Sequence, residues 1–160
     1  MSTAIQTLNK VVELANKRRD EALAQLAQLQ REMAQAQDQM QQLRTYADEA
    51  QARWLQRSGA GVDANVLQHH RQFMQKIDHA MDFQQGVLSQ RQSQLDQAQQ
   101  QVHVAERDLA GLRKYTDRKV QALLHNAQRA EQKQTDELAL SIHMRQRLTQ
   151  SMITTKGARP

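Results

Sequence analysis

Arg57-Ser58-Gly59-Ala60-Gly61-Val62-Asp63-Ala64-Asn65 interrupts an otherwise continuous helical pattern, and its reading decides the fold. The stretch holds two of the five glycines in a chain of 160 residues. Glycine reaches the left-handed backbone conformation that ends a helix, and Asp63 or Asn65 can cap the next one. The stretch is too short for an interdomain linker. It reads as a turn between two helices.

Upstream, steps of three and four residues from Ile5 pass through Leu8, Val12, Ala15, Arg19, Ala22, Leu26, Leu29, Met33, Ala36, Met40, Leu43, Ala47, Ala50 and Trp54. All but Arg19 are apolar. A mean spacing of 3.5 keeps one stripe facing a partner helix throughout, here over about 80 Å. Downstream, the same stride passes through Leu67, His70, Met74, Ile77, Met81, Gln84, Leu88, Arg91, Leu95, Ala98, Val102, Ala105, Leu109 and Leu112, with His70, Gln84 and Arg91 as the exceptions. The strict step then fails. Apolar residues resume on a shifted register at Val120, Leu123, Ala127, Leu138 and Ile142, a slip that locally unwinds a supercoil.

The expected fold is all-α, a long antiparallel two-helix coiled-coil hairpin with a longer second helix. The expected limits are helix 3–57, turn 58–65, helix 66–150 and a disordered tail 151–160, all within a single coiled-coil domain. A tight turn near Gly61 sets Ile5 opposite about residue 117, so the last 30 or so residues have no partner in the chain. A lone helical segment of that kind is marginal in water, and is expected either to fray or to be held by another protein.

Composition agrees. Aromatic residues make up 3%, glutamine occurs 29 times, and the only proline is Pro160. Mean hydropathy is −0.83. Such a chain cannot fill a spherical core, but it can line a seam. There is no cysteine, hence no disulfide, thiolate metal site or cysteine nucleophile. No signal peptide and no apolar run of membrane-spanning length is legible, so a cytoplasmic protein is expected. The net charge of +5 is concentrated late: residues 113–160 carry ten Lys/Arg and four Asp/Glu. A basic segment fits nucleic acid, a solvated helix face or an acidic protein partner; no nucleic acid is expected.

No catalytic constellation stands out. Gly59-Ala60-Gly61 lacks the Gly-Lys-Ser/Thr of a phosphate loop, and the six histidines lack the i, i+3 or i+4 pairing of a metal site. A two-helix coiled coil has no enclosed pocket to perturb a carboxyl pKa or exclude water. The expectation is a non-enzyme with no catalytic, cofactor or metal residues. Met33, Met40, Met74 and Met81 read as seam filling, with an adaptable docking face as the lesser alternative. Tyr46, Trp54, Phe73 and Phe83 cluster near the turn. Tyr46 and Phe73 fall at nearly one height and off the seam, which reads either as shielding its edge or as a contact site.

Three stretches are similar to the FliJ family of flagellar type III export proteins. They are Leu8-Asn9-Lys10-Val11-Val12-Glu13-Leu14-Ala15; the turn region with Leu43, Tyr46, Ala60-Gly61-Val62, Gln72-Phe73-Met74 and Ile77; and Arg129-Ala130-Glu131-Gln132-Lys133-Gln134-Thr135-Asp136-Glu137-Leu138-Ala139. The resemblance implies a cytoplasmic accessory rod like the two-helix part of a rotary-ATPase central stalk. It also implies a link from the export ATPase hexamer, whose assembly it promotes, to the cytoplasmic domain of the export-gate protein FlhA. Export chaperones are further implied partners. The implied rod is monomeric when free, and reaches the cytoplasmic face of the inner membrane only through partners.

Carried over position by position, the gate-binding patch is Gln39, Leu43, Tyr46, Phe73, Ile77 and Ala80. Ala50 and Gln84 stand where the family pattern has Tyr and His. The heptad puts Leu43 and Ile77 in the seam, whereas the resemblance needs them outward. Under the same resemblance Lys17, Arg18, Arg19, Lys119, Arg129, Lys133, Arg145 and Arg147 would line the ATPase ring. The equivalent stalk of a virulence injectisome and a generic homo-oligomeric coiled-coil scaffold are the alternatives.

Overall fold

The computed structural model describes residues 2–157. They form two α-helices, α1 (Ser2–Ser58) and α2 (Ala64–Lys156), and among the described residues there is no strand. Ala, Gln, Leu, Arg and Glu propagate a helix well, and no proline interrupts either one. α2 begins two residues before the expected 66 and runs past the expected 150 to Lys156. Residues 151–156, read from sequence as tail, continue the helix because nothing breaks it before Gly157, whose N–H closes on the Ile153 carbonyl at 3.2 Å. The rest of the tail, 158–160, lies outside the described residues.

The turn follows the glycine argument at one position. Gly61 has φ +83°, in the left-handed region that side chains avoid. α1 closes with Ala60 N–H donating to Arg57 O at 3.1 Å and Gly61 N–H to Ser58 O at 3.4 Å. Of the two capping candidates, Asp63 stands at the N-cap position: its carbonyl accepts the first bond of α2, from Leu67 N–H at 3.1 Å.

The chain groups into two packed units. In the unit Leu14–Leu109 the helices pair antiparallel, and the register is visible in four cross-helix contacts: Glu32–Arg91, Gln39–Gln84, Tyr46–Phe73 and Trp54–His70. Every seam position of α1 in this unit is buried or half-buried, Arg19 included. On α2 the seam is covered from His70 onward; only Leu67, beside the turn, is exposed.

Each of the three non-apolar seam positions on α2 reaches a partner on α1. The His70 ring stacks on Trp54, with centroids 4.2 Å apart and planes 7° apart. Buried Gln84 donates from Nε2 to the Ala36 carbonyl at 2.8 Å and to Gln39 Oε1 at 3.2 Å. Arg91 Nη1 lies 3.5 Å from Glu32 Oε2. A polar side chain in such a seam is satisfied in one alignment only, so it fixes register.

The other unit joins the start of α1, up to Glu13, to α2 from Ala110 onward. Ile5, Leu8 and Val12 are half-buried there, as are Leu112, Val120, Leu123 and Ala127. The strict stride extends one position beyond the expected limit, because Thr116 follows Leu112 in step and is buried. A hydroxyl hides that position from an apolar pattern. The slip falls between Thr116 and Val120. From residue 128 to 157 every described residue is exposed, including Leu138 and Ile142.

Candidate functional site

An off-seam position on a thin hairpin has a neighbouring helix on one side only. Tyr46 lies immediately before seam residue Ala47 and Phe73 immediately before Met74, and both rings end up on one flank. Their centroids are 5.8 Å apart and their planes tilted by 60°. Tyr46 is 51% exposed and Phe73 38% exposed. The pair therefore does two things: each ring covers the other's inner edge, and both keep an outer edge in water.

The other members of the family-derived patch divide by depth. Gln39 is exposed and accepts from Gln84. Leu43 and Ala80 are half-buried. Ile77 is 5% exposed and belongs to the seam. Ala50 and Gln84 are buried as well. The surface open to a partner is thus Gln39, Tyr46 and Phe73, with the edges of Leu43 and Ala80. Phe83, noted in the sequence only for its nearness to the turn, stands on the outside of α2 at 75% exposure.

The basic residues separate between the two units. Lys17 and Arg18 are exposed in the unit Leu14–Leu109. Arg19 there is half-buried and forms an ion pair with Asp20 at 3.0 Å. Lys119, Arg129, Lys133, Arg145 and Arg147 are exposed in the unit containing the end of α2. Lys119 Nζ lies 5.6 Å above the Tyr115 ring, within reach of a cation–π contact. Arg129 and Lys133 border a surface hollow with Gln132, Asp136, Glu137 and Leu140, all from α2. Along the same 128–157 stretch Leu138, Leu140, Ile142, Met144, Leu148, Met152 and Ile153 are all about half exposed or more. Exposed basic residues interspersed with exposed apolar ones make a surface suited to an acidic, partly apolar partner.

The surface hollows described here run along single helices, at Glu49–Gln56, Ala64–Gln75, Arg129–Leu140 and Ile142–Gln150. Among the described residues no three His, Asp or Glu come together as metal ligands, and no helix is long and apolar enough to cross a membrane. No buried side-chain nitrogen or oxygen among them lacks a hydrogen-bond partner.

The fold and these surfaces define the class: an antiparallel coiled-coil hairpin with its seam closed and its distinctive side chains turned outward. Comparison with known proteins gives the family. The model of the family described as Flagellar FliJ protein matches residues 4–148. A relative named Flagellar FliJ protein, from Salmonella typhi, is 28% identical over 142 residues, covering 89% of this chain and 95% of the relative. The chain belongs to the FliJ family. It is a protein of flagellar export.

Proposed function

We propose that this chain is an accessory rod of the flagellar type III export apparatus. It links the export ATPase ring, whose assembly it promotes, to the cytoplasmic domain of the export gate FlhA, and it escorts export chaperones. In this reading it works in the cytoplasm, at the membrane face only through its partners, and carries out no chemistry itself.

The observation that carries the proposal is the pair of outward rings, Tyr46 and Phe73, in contact on one flank of the paired helices. Partly exposed aromatics in a fixed geometry are frequent anchors of protein interfaces. Their positions coincide with the family's gate-binding pattern, so the gate is the partner assigned to them. The ATPase contact is assigned to the exposed end of α2 with Lys119, Arg129, Lys133, Arg145 and Arg147. Lys17, Arg18 and Arg19 are proposed as further ring contacts. A helix with 30 exposed residues at its end gains little from its own chain, and a partner would supply the missing burial.

The test is a binding titration of the intact protein against the purified gate domain. Tyr46→Ala with Phe73→Ala should abolish measurable binding while far-UV circular dichroism stays unchanged. Wild-type binding by the double variant would refute the gate assignment.

A further inference from the structure

Phe83 is the most exposed of the large apolar side chains among the described residues. It lies ten residues after Phe73 on α2, about 15 Å further along the helix. Phe73, Ala80, Phe83 and Val87 are separated by seven, three and four residues. That is the stride of the seam displaced by one position, so they form a stripe running beside it. Ala80 and Val87 are half-buried. The ring of Phe83 has no aromatic partner among the described residues, and it covers little of its own chain.

Gly86 adds a second observation. It sits inside α2, well away from either end, one turn beyond Phe83 on the same side. A Cβ there would meet nothing within 4 Å, and its backbone is not left-handed. Neither the packing nor the backbone of this chain calls for glycine, which weakens a helix relative to alanine. One turn before Phe83 stands Ala80, also small. The phenyl ring therefore projects between two low points of the surface, where another protein's backbone can come close. The six helix-surface neighbours of Phe83 are Lys76, His79, Ala80, Gly86, Val87 and Gln90. None is a carboxylate, and Lys76 carries the formal charge.

We infer that Phe83, flanked by Ala80 and Gly86, is a second anchor of the gate-binding surface, entering an apolar socket whose rim offers a carboxylate to Lys76. The inference rests on assigning the Tyr46–Phe73 pair to the export gate. It also accounts for the outer edge of the patch. Ala50 and Gln84 are closed in the seam and cannot reach a partner, whereas the ring next to Gln84 is 75% exposed.

The test is a calorimetric titration of the full-length chain with the purified cytoplasmic domain of the gate. Phe83→Ala should weaken binding at least tenfold with the melting temperature unchanged. Gly86→Ala should raise the melting temperature and yet weaken binding several-fold, an opposition that a merely structural glycine would not produce. Lys76→Glu should weaken binding and flatten its salt dependence. If Phe83→Ala and Gly86→Ala bind like wild type while the Tyr46→Ala/Phe73→Ala variant does not, the second anchor is overturned and the gate assignment stands. If all three bind like wild type, both fall.

Discussion

The Gln84 side-chain amide crosses the seam to the Ala36 backbone carbonyl, 2.8 Å away. A helix carbonyl has a second lone pair beyond its own i+4 bond, and Gln84 uses it in a buried setting. Gln39 Oε1 accepts from the same Nε2 at 3.2 Å. An apolar seam tolerates sliding by a heptad; this contact does not, since a shifted Gln84 would lose its acceptor.

Replacing Gln84 by leucine should therefore leave stability within about 1 kcal/mol of wild type, or raise it, because an apolar group fits the seam. Alignment should suffer instead. Spin labels at exposed Gln42 and Lys76 should give one narrow distance distribution in the wild type and a broadened one in Gln84→Leu, measured by pulsed electron resonance.

Gly61→Ala should lower stability by about 1 kcal/mol, since φ +83° is strained for any residue with a Cβ. Gly59→Ala should be nearly silent: its backbone is not left-handed and the nearest atom to a new Cβ is 3.8 Å away. Urea denaturation of the two variants side by side decides the point.

Ile77 and Tyr46 should part company although both fall in the family-derived patch. Ile77→Ala removes a buried seam side chain and should cost about 2–4 kcal/mol. Tyr46→Ala, half in water, should cost about 1 kcal/mol or less through the lost ring contact with Phe73. Melting curves separate them, and any binding defect in Ile77→Ala is to be read through its loss of stability.

Deleting residues 128–160 should leave the denaturation midpoint of the remaining chain unchanged, because every described residue of that stretch is exposed and contributes little burial. Under the proposed function the same deletion weakens stimulation of the export ATPase. A large drop in midpoint would mean that the segment packs on its own chain after all.

Trp54 and His70 give an optical handle on the turn-proximal end of the seam. The 4.2 Å stack covers one face of the indole and keeps it partly out of water. His70→Ala should red-shift the emission of Trp54, the only tryptophan in the chain. An unchanged spectrum would count against the stack.

Much of this was legible in the residues. Periodicity is a local property, and a stride of 3.5 names the inward face of a helix without reference to its partner. The pattern from Ile5 to Trp54 therefore identified covered positions correctly, and the two glycines located the turn. What periodicity cannot give is depth. Thr116 is buried in step with the seam, yet its hydroxyl keeps it out of an apolar count. His70, Gln84 and Arg91 looked like lapses in the pattern, and each proved to have a cross-helix partner. Leu43, Ile77 and Tyr46 looked equivalent in the family pattern but differ widely in exposure.

The sequence by itself determined two helices, the place where the chain reverses, the stripe each helix buries and the family to which the chain belongs. Those follow from backbone propensity, glycine and spacing, which act within a few residues. Only the tertiary structure decided which polar side chains meet across the seam, how much of the touching Tyr46 and Phe73 rings stays open, and that Phe83 projects beside an unfilled glycine. These depend on how far the opposite helix reaches around each position, and that distance is set by side chains remote in the chain.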